Sequence, residues 1–191
     1  MNPKIHNLSL QGITGVLFGF ISILFIVLIN TLINEFTSSS GISSILPISF
    51  LEITLLICGV LFTLITYLII VLANKRRRKK LNLIGWEVNA KKIRLIFFIQ
   101  FVVVVCISYL CVQIGMLKLI IPIILLVYGL SCIVANHYTI GFSKVLGLFF
   151  ALQSLLAIFF PEVQFLLLAV AFGGFHIIYA LFNNSRANLK L

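Results

Sequence analysis

Six long apolar segments separated by short polar breaks make up this chain, and the pattern limits the folds it can adopt. A helix needs about 20 apolar residues to cross a hydrocarbon layer about 30 Å thick. With 62% hydrophobic and 9% charged residues, the composition excludes an ordinary soluble domain and a soluble nucleic-acid binder. We therefore predict an all-α, polytopic membrane protein, with residues 1–191 forming a single transmembrane domain. The predicted transmembrane helices cover residues 12–33, 49–73, 93–114, 117–135, 141–160 and 163–182.

The distribution of basic residues predicts which side of the membrane each helix end faces. Lys and Arg near helix ends are retained on the cytoplasmic side. If the N-terminus is cytoplasmic and six helices cross, every one of the 14 Lys and Arg residues except Lys118 lies at a cytoplasmic end. An odd number of helices would destroy this partition. We therefore predict three antiparallel hairpins with both termini in the cytoplasm.

The densest basic run, KRRRKK, lies in a predicted cytoplasmic loop at residues 74–94. Beside a membrane helix, such a run is attracted to anionic headgroups, and we favour this interpretation over a cytosolic acidic partner. The segment could extend the preceding helix or lie at the headgroups. The residues predicted to contact anionic lipid are Lys75, Arg76, Arg77, Arg78, Lys79 and Lys80.

Small residues recur at spacings of three and four in three of the predicted helices. Such stripes let helix backbones approach closely in a membrane. We expect the stripe of the first helix to bind a second copy of the chain or another membrane protein. The stripes are Gly12, Gly15, Gly19 and Ser22; Ser143, Gly147, Ala151 and Ser154; and Ala169, Gly173, His176, Ala180 and Asn183.

His176 is the most polar side chain predicted at membrane depth. Counting outward from the turn at Pro161 places it level with Gly147, with Tyr179 one turn away and Ser143 within reach. Burial in an apolar bundle favours the uncharged ring, so we expect a packing and hydrogen-bonding role, satisfied by Ser143, Tyr179 or a carbonyl. A role in binding a ligand, a proton or a partner is the alternative.

The motifs of enzymes and metal sites do not occur in this sequence. The four cysteines show no C-x-x-C spacing and are expected to be small buried hydrophobes. A pairing of Ser143 with His176 would lack an orienting acid. We therefore predict no catalytic residue, no cofactor and no metal. A carrier or channel for a small neutral or hydrophobic solute is the alternative function, because Gly173 and Gly174 could unwind the sixth helix locally.

The C-terminal third combines a Tyr-Gly pair in the fourth helix, a Gly early in the fifth, a Pro in the last turn and a G-x-x-H-x-x-Y element in the sixth. These residues are Tyr128, Gly129, Gly147, Pro161, Gly173, His176 and Tyr179. In this pattern the chain resembles a family of small six-helix bacterial inner-membrane proteins and, more distantly, the acid-resistance membrane proteins. The resemblance implies the same fold in the bacterial inner membrane, and we expect a non-enzymatic structural, stress-related or regulatory component.

Overall fold

The computed structural model describes residues 12–38, 48–80, 88–139 and 142–188, which form helices and no strands. The helices are α1 (Ile13–Ser38), α2 (Ile48–Lys80), α3 (Val88–Ile114), α4 (Ile120–Ala135), α5 (Ser143–Phe159), α6 (Gln164–Ala169) and α7 (His176–Asn188). Short 3-10 turns, Leu117–Leu119 and Pro161–Val163, precede α4 and α6. A π-helical segment, Val170–Phe175, joins α6 to α7, and we call α6, this segment and α7 together the last span.

Five of these helical stretches are long and apolar enough to cross a membrane. The remaining apolar helix, Ser143–Phe159, is shorter, with 17 residues and a length of about 25 Å. The prediction of an all-helical membrane protein is thereby confirmed.

Helix α2 is longer than the predicted span. Its 33 residues extend for about 50 Å, which exceeds the hydrocarbon thickness of about 30 Å. The basic run therefore begins on the end of a helix, where Lys75, Arg76 and Lys79 are exposed. Of the predicted loop 74–94, residues 81–87 lie outside the described residues, as do the side chains of Arg77, Arg78 and Lys80, and α3 has already begun at Val88.

Gly115 ends α3 at the predicted break before Lys118. Its φ of +77° lies in the left-handed region that favours glycine. The Gly115 amide donates to the Val112 carbonyl over 3.1 Å, and the Met116 amide donates to the Cys111 carbonyl over 2.8 Å. This pair of hydrogen bonds is the Schellman motif that closes helices, and it turns the chain towards α4.

Two contacts bring several basic helix ends together. The Gly12 amide, just before α1, donates to the Ala180 carbonyl of α7 over 3.2 Å. At the start of α3, the Lys92 ammonium lies 5.1 Å from the centre of the Tyr138 ring, which follows α4. These contacts place the start of α1 beside Ala180, near the end of the membrane-spanning stretch Pro161–Phe182, and the start of α3 beside the end of α4.

At the end of the helix bundle opposite the basic helix ends, side chains hydrogen-bond to backbone carbonyls of neighbouring helices. Gln164, at the start of the last span, donates to the carbonyls of Lys118 and Ala157, each over 2.8 Å. Nearby, the Ser154 hydroxyl donates to the Pro122 carbonyl over 2.8 Å. These bonds satisfy carbonyls near helix ends and link the starts of α4 and the last span to the end of α5.

The core is built mainly from α1, α4, α5 and the last span, whereas α2 and α3 expose most of their apolar side chains. The backbones of α4 and α5 touch: a Cβ added to Gly129 would lie 2.7 Å from the Gly147 carbonyl oxygen. The buried apolar core comprises Phe18, Ile26, Ile121, Leu125, Tyr128, Cys132, Leu146, Phe150, Ala157, Ala171 and Phe172.

The small-residue stripe of α1 packs inside the molecule. A Cβ added to Gly19 would lie 2.8 Å from the Gly173 carbonyl oxygen, and one added to Gly173 would overlap the side chain of Ile23. Ser22 is fully buried and donates to the Phe18 carbonyl over 2.8 Å. The last span therefore occupies this part of the stripe within the molecule, and binding of a second copy stays a prediction.

Candidate functional site

His176 lies at the first residue of α7, directly after the π-helical segment. A π segment accommodates one extra residue in a turn and often marks a functional position. Here it contains Gly173 and Gly174, and Gly173 lies against α1, where a side chain would collide with Ile23. The local structure thus lets the last span approach α1 while it carries the imidazole into the core, where His176 is fully buried.

Both ring nitrogens of His176 have oxygen partners. Nε2 lies 2.7 Å from the Tyr128 hydroxyl, and Nδ1 lies 3.4 Å from the Ala171 carbonyl oxygen. A carbonyl can only accept, so a neutral ring satisfies both contacts when Nδ1 carries the hydrogen. Nε2 then accepts the Tyr128 hydroxyl hydrogen. The arrangement therefore fits the uncharged tautomer with Nδ1–H.

Aromatic rings from three other parts of the bundle and from the π segment enclose the imidazole. Phe18 of α1 lies 4.6 Å away between ring centres, and Phe150 of α5 lies 5.5 Å away, edge-on. Phe172 is stacked nearly parallel at 6.0 Å, and the ring centre of Tyr128 lies at 5.5 Å. These rings bury large apolar areas and leave the hydrogen-bonded imidazole no exposed surface.

Gly147 does not face His176, although counting from Pro161 places the two residues level. A Cβ added there would lie 2.7 Å from the Ile133 side chain, and the Gly129 backbone is closer still, so Gly147 faces α4. Ser143 also has a different partner from the expected one, since its hydroxyl lies 3.1 Å from that of Tyr179. Counting along two helices gave their relative depth but not the direction of each side chain.

Further polar side chains lie between His176 and the basic end. Cys132, one turn beyond Tyr128 on α4, is buried, and Tyr179 lies one turn beyond His176 on α7. Tyr179 in turn reaches Ser143 at the start of α5. Hydroxyls and thiols can both donate and accept hydrogen bonds. The Ser143 hydroxyl bonds to a phenol and not to the imidazole, so it is not arranged as a nucleophile with His176 as its base.

Metal-binding clusters are absent from the described part of the chain. No three His, Cys, Asp or Glu side chains there converge as metal ligands would. All four cysteines are free: Cys111 and Cys132 are buried, Cys106 is exposed and Cys58 is partly exposed.

Tyr128 is the functional candidate that the sequence-based reasoning missed. It was recognised as part of a Tyr-Gly pair, but not as the partner of His176. A tyrosine inside an apolar helix usually needs a hydrogen-bond partner, and the adjacent Gly129 indicates a close helix contact. These two features of the sequence could have identified Tyr128 as a candidate. No protein-family model, curated protein or solved structure matches this chain.

Proposed function

We propose that the chain is a multipass protein of the bacterial inner membrane with six transmembrane helices, arranged as three antiparallel hairpins with both termini cytoplasmic. The contacts of Gly12 with Ala180 and of Lys92 with Tyr138 support this arrangement. The bond between Ser143 and Tyr179 joins the two regions, so the starts of α1, α3 and α5 lie on the same side of the bundle. Basic residues are retained on the cytoplasmic side. The resemblance of the C-terminal residues to bacterial inner-membrane proteins supports the location.

Within that membrane, we propose a non-enzymatic structural, stress-related or regulatory role. The enclosure of His176 carries this proposal, because its imidazole is fully buried among aromatic rings and bonded to Tyr128. Its hydrogen-bonding capacity is used inside the molecule. Exposed apolar side chains, most extensive on α2, are available to partners, and the basic end of α2 would contact anionic lipid.

A small carrier for a neutral or hydrophobic solute is the second candidate. One observation favours it: the last span departs from α-helical geometry at Val170–Phe175, and carriers place interrupted helices at their binding sites. A carrier would have to open a path beside His176, at present closed by Phe18, Phe150 and Phe172.

Cys132 provides a native probe that separates the two functions. In proteoliposomes of a variant retaining Cys132 as its sole cysteine, we expect no modification by a water-soluble methanethiosulfonate reagent. The reason is that Cys132 is 3% exposed and lies beside the enclosed Tyr128. Placing a cysteine at the exposed Lys144 provides the positive control.

Modification of Cys132 at a rate near that of the control would contradict the closed core and favour the carrier. The same proteoliposomes should retain entrapped small neutral solutes as well as protein-free vesicles do. Purification from native membranes then tests the role: a stoichiometric protein partner is expected, and a bound small solute would support transport instead.

A further inference from the structure

The side chain of His176 caps the π-helical segment that precedes it. In an α-helix each amide donates to the carbonyl four residues back, and a π turn, which spans five residues, is rare. The ring Nδ1 of His176 lies 3.4 Å from the Ala171 carbonyl oxygen, five residues back, and the backbone amide of His176 donates to the Gly173 carbonyl. The imidazole thus bonds to a carbonyl of the segment at the spacing that is typical of a π turn.

A second helix fixes the direction of this ring. Nε2 lies 2.7 Å from the hydroxyl of Tyr128 on α4, and the imidazole is fully buried. A neutral imidazole has a single N–H. With Nε2 accepting from Tyr128, that hydrogen lies on Nδ1 and is directed at the Ala171 carbonyl. Inside a membrane protein, no water replaces a lost partner. The position of α4 is thereby linked to the local form of the last span.

The two helices of the last span are held differently. α6, before the segment, follows a short turn after α5 and is tied by two bonds of Gln164, each 2.8 Å long, to neighbouring carbonyls. α7, after the segment, is held at Tyr179, 3.1 Å from the Ser143 hydroxyl, and at the Ala180 carbonyl, which accepts from Gly12. A π turn contains one extra residue, so its conversion to α-helix turns one side relative to the other by about 100°. Since the short turn fixes α6 to α5, we expect α7 to rotate.

We propose that the bond from Nδ1 of His176 to the Ala171 carbonyl, which we call the latch, holds the last span in its π-helical form. Release of the latch converts the segment to α-helix and rotates α7. Gly173 and Gly174 permit the conversion, because they have no side chains to be repositioned. The latch is thus a conformational switch, in which a buried hydrogen bond sets the orientation of a helix that leads to the basic end.

The latch deepens the proposed regulatory role and rests on it only for its use. Ile178 and Leu181 are exposed on α7, so rotation of this helix changes the side chains that are presented to a partner. The latch itself is measured on the purified chain with no partner present. Failure to find a partner would therefore disprove the regulatory role and leave the latch unaffected.

Two substitutions of His176 separate its two nitrogens. His176→Asn keeps an amide close to the position of Nδ1, and so a donor for Ala171, whereas His176→Gln places the amide close to Nε2. Spin labels on Leu148 of α5 and Leu181 of α7, 55% and 57% exposed, measure the rotation by pulsed electron paramagnetic resonance. The sample is the full chain without native cysteines, in nanodiscs. The matched control pair joins Leu148 to Leu166 of α6, which is 63% exposed and lies before the segment.

A rotation of about 100° moves the end of a side chain that lies about 5 Å from the helix axis by about 8 Å. We therefore expect His176→Gln to shift the distance between the labels on Leu148 and Leu181 by several ångströms. His176→Asn should retain the distance of the unsubstituted protein, and the control distance should be unchanged in both variants.

Equal behaviour of the two variants, shifted or unshifted, would overturn the proposal, because the helix form would then not follow Nδ1. A shift in His176→Asn alone would overturn it too, since the bond to Tyr128 would then hold the segment. Tyr128→Phe keeps the latch and provides a second test should His176→Gln fail to fold. It should retain the distance between the labels on Leu148 and Leu181, and a shift would contradict the latch.

Discussion

The hydrogen bond between Tyr128 and His176 joins α4 to the last span in an apolar core, where water does not compete for either group. At 2.7 Å, it has the length expected of a strong O–H to nitrogen bond. We predict that Tyr128→Phe destabilises the folded protein by about 1 to 3 kcal/mol, because it leaves Nε2 of His176 buried without its donor. Unfolding in mixed micelles measures the change.

A double-mutant cycle separates this bond from general packing. Tyr128→Phe combined with His176→Leu should show a coupling energy of about 0.6 to 1.5 kcal/mol, the range for polar pairs between membrane helices. The matched cycle uses Ser143→Ala with His176→Leu. Because Ser143 bonds to Tyr179, its coupling should be the smaller. A larger coupling with Ser143 would contradict the observed pairing.

The sequence indicated that His176 was important, but it did not indicate its partner. Position along a helix can be counted from a turn, so the depth of His176 could be estimated from Pro161. The direction of a side chain around the axis also depends on helix rotation, and the π segment before His176 changes that rotation. For this reason, counting could place His176 level with Gly147 but could not identify its partner Tyr128, which lies on α4.

At the scale of elements, the two adjacent glycines of the π segment have opposite environments. A Cβ at Gly173 would overlap Ile23 of α1, whereas one at Gly174 would meet no atom within 4 Å. We therefore predict that Gly173→Ala destabilises the fold by about 1 to 3 kcal/mol through overpacking. Gly174→Ala should be neutral or stabilise it by up to about 1 kcal/mol, because alanine restricts the unfolded chain.

Thermal unfolding of both variants in the same detergent measures the difference. The two substitutions add the same methyl group one residue apart, so each serves as the control for the other. Equal destabilisation would mean that the π segment itself, and not the contact with α1, excludes side chains. A stable Gly173→Ala protein would contradict the close approach of α1 to the last span.

Helix existence could be predicted more reliably than helix ends. Apolar length identified every stretch that forms a long helix, and Gly115 closes α3 at the predicted break. The end of α2 was placed at residue 73 because hydropathy falls at Asn74. Lys and Arg are good helix formers, however, and their long side chains remain solvated on a projecting helix, so α2 continues to Lys80.

At the scale of the whole molecule, the contacts fix the relative direction of the helices but not the side of the membrane. Lys118 and Lys144 lie on either side of α4 and are both exposed, so they form a matched pair of reporter positions. The excess of basic residues at the Lys144 end predicts that this end is cytoplasmic. In a variant without native cysteines, Lys118→Cys should react with a membrane-impermeant maleimide on intact cells.

Lys144→Cys should react only after the cells are permeabilised, because the proposed orientation places the membrane between this position and the reagent. Labelling of Lys144→Cys alone on intact cells would reverse the proposed orientation. Labelling of both positions would mean that α4 does not cross the membrane. Only α4 separates the two labelled positions. After Lys144 the chain is proposed to cross the membrane twice more, as α5 and as the last span, and so to return to the side of Lys144. The expected labelling pattern therefore also predicts a cytoplasmic C-terminus. If all six helices cross as proposed, the N-terminus should lie on that same side.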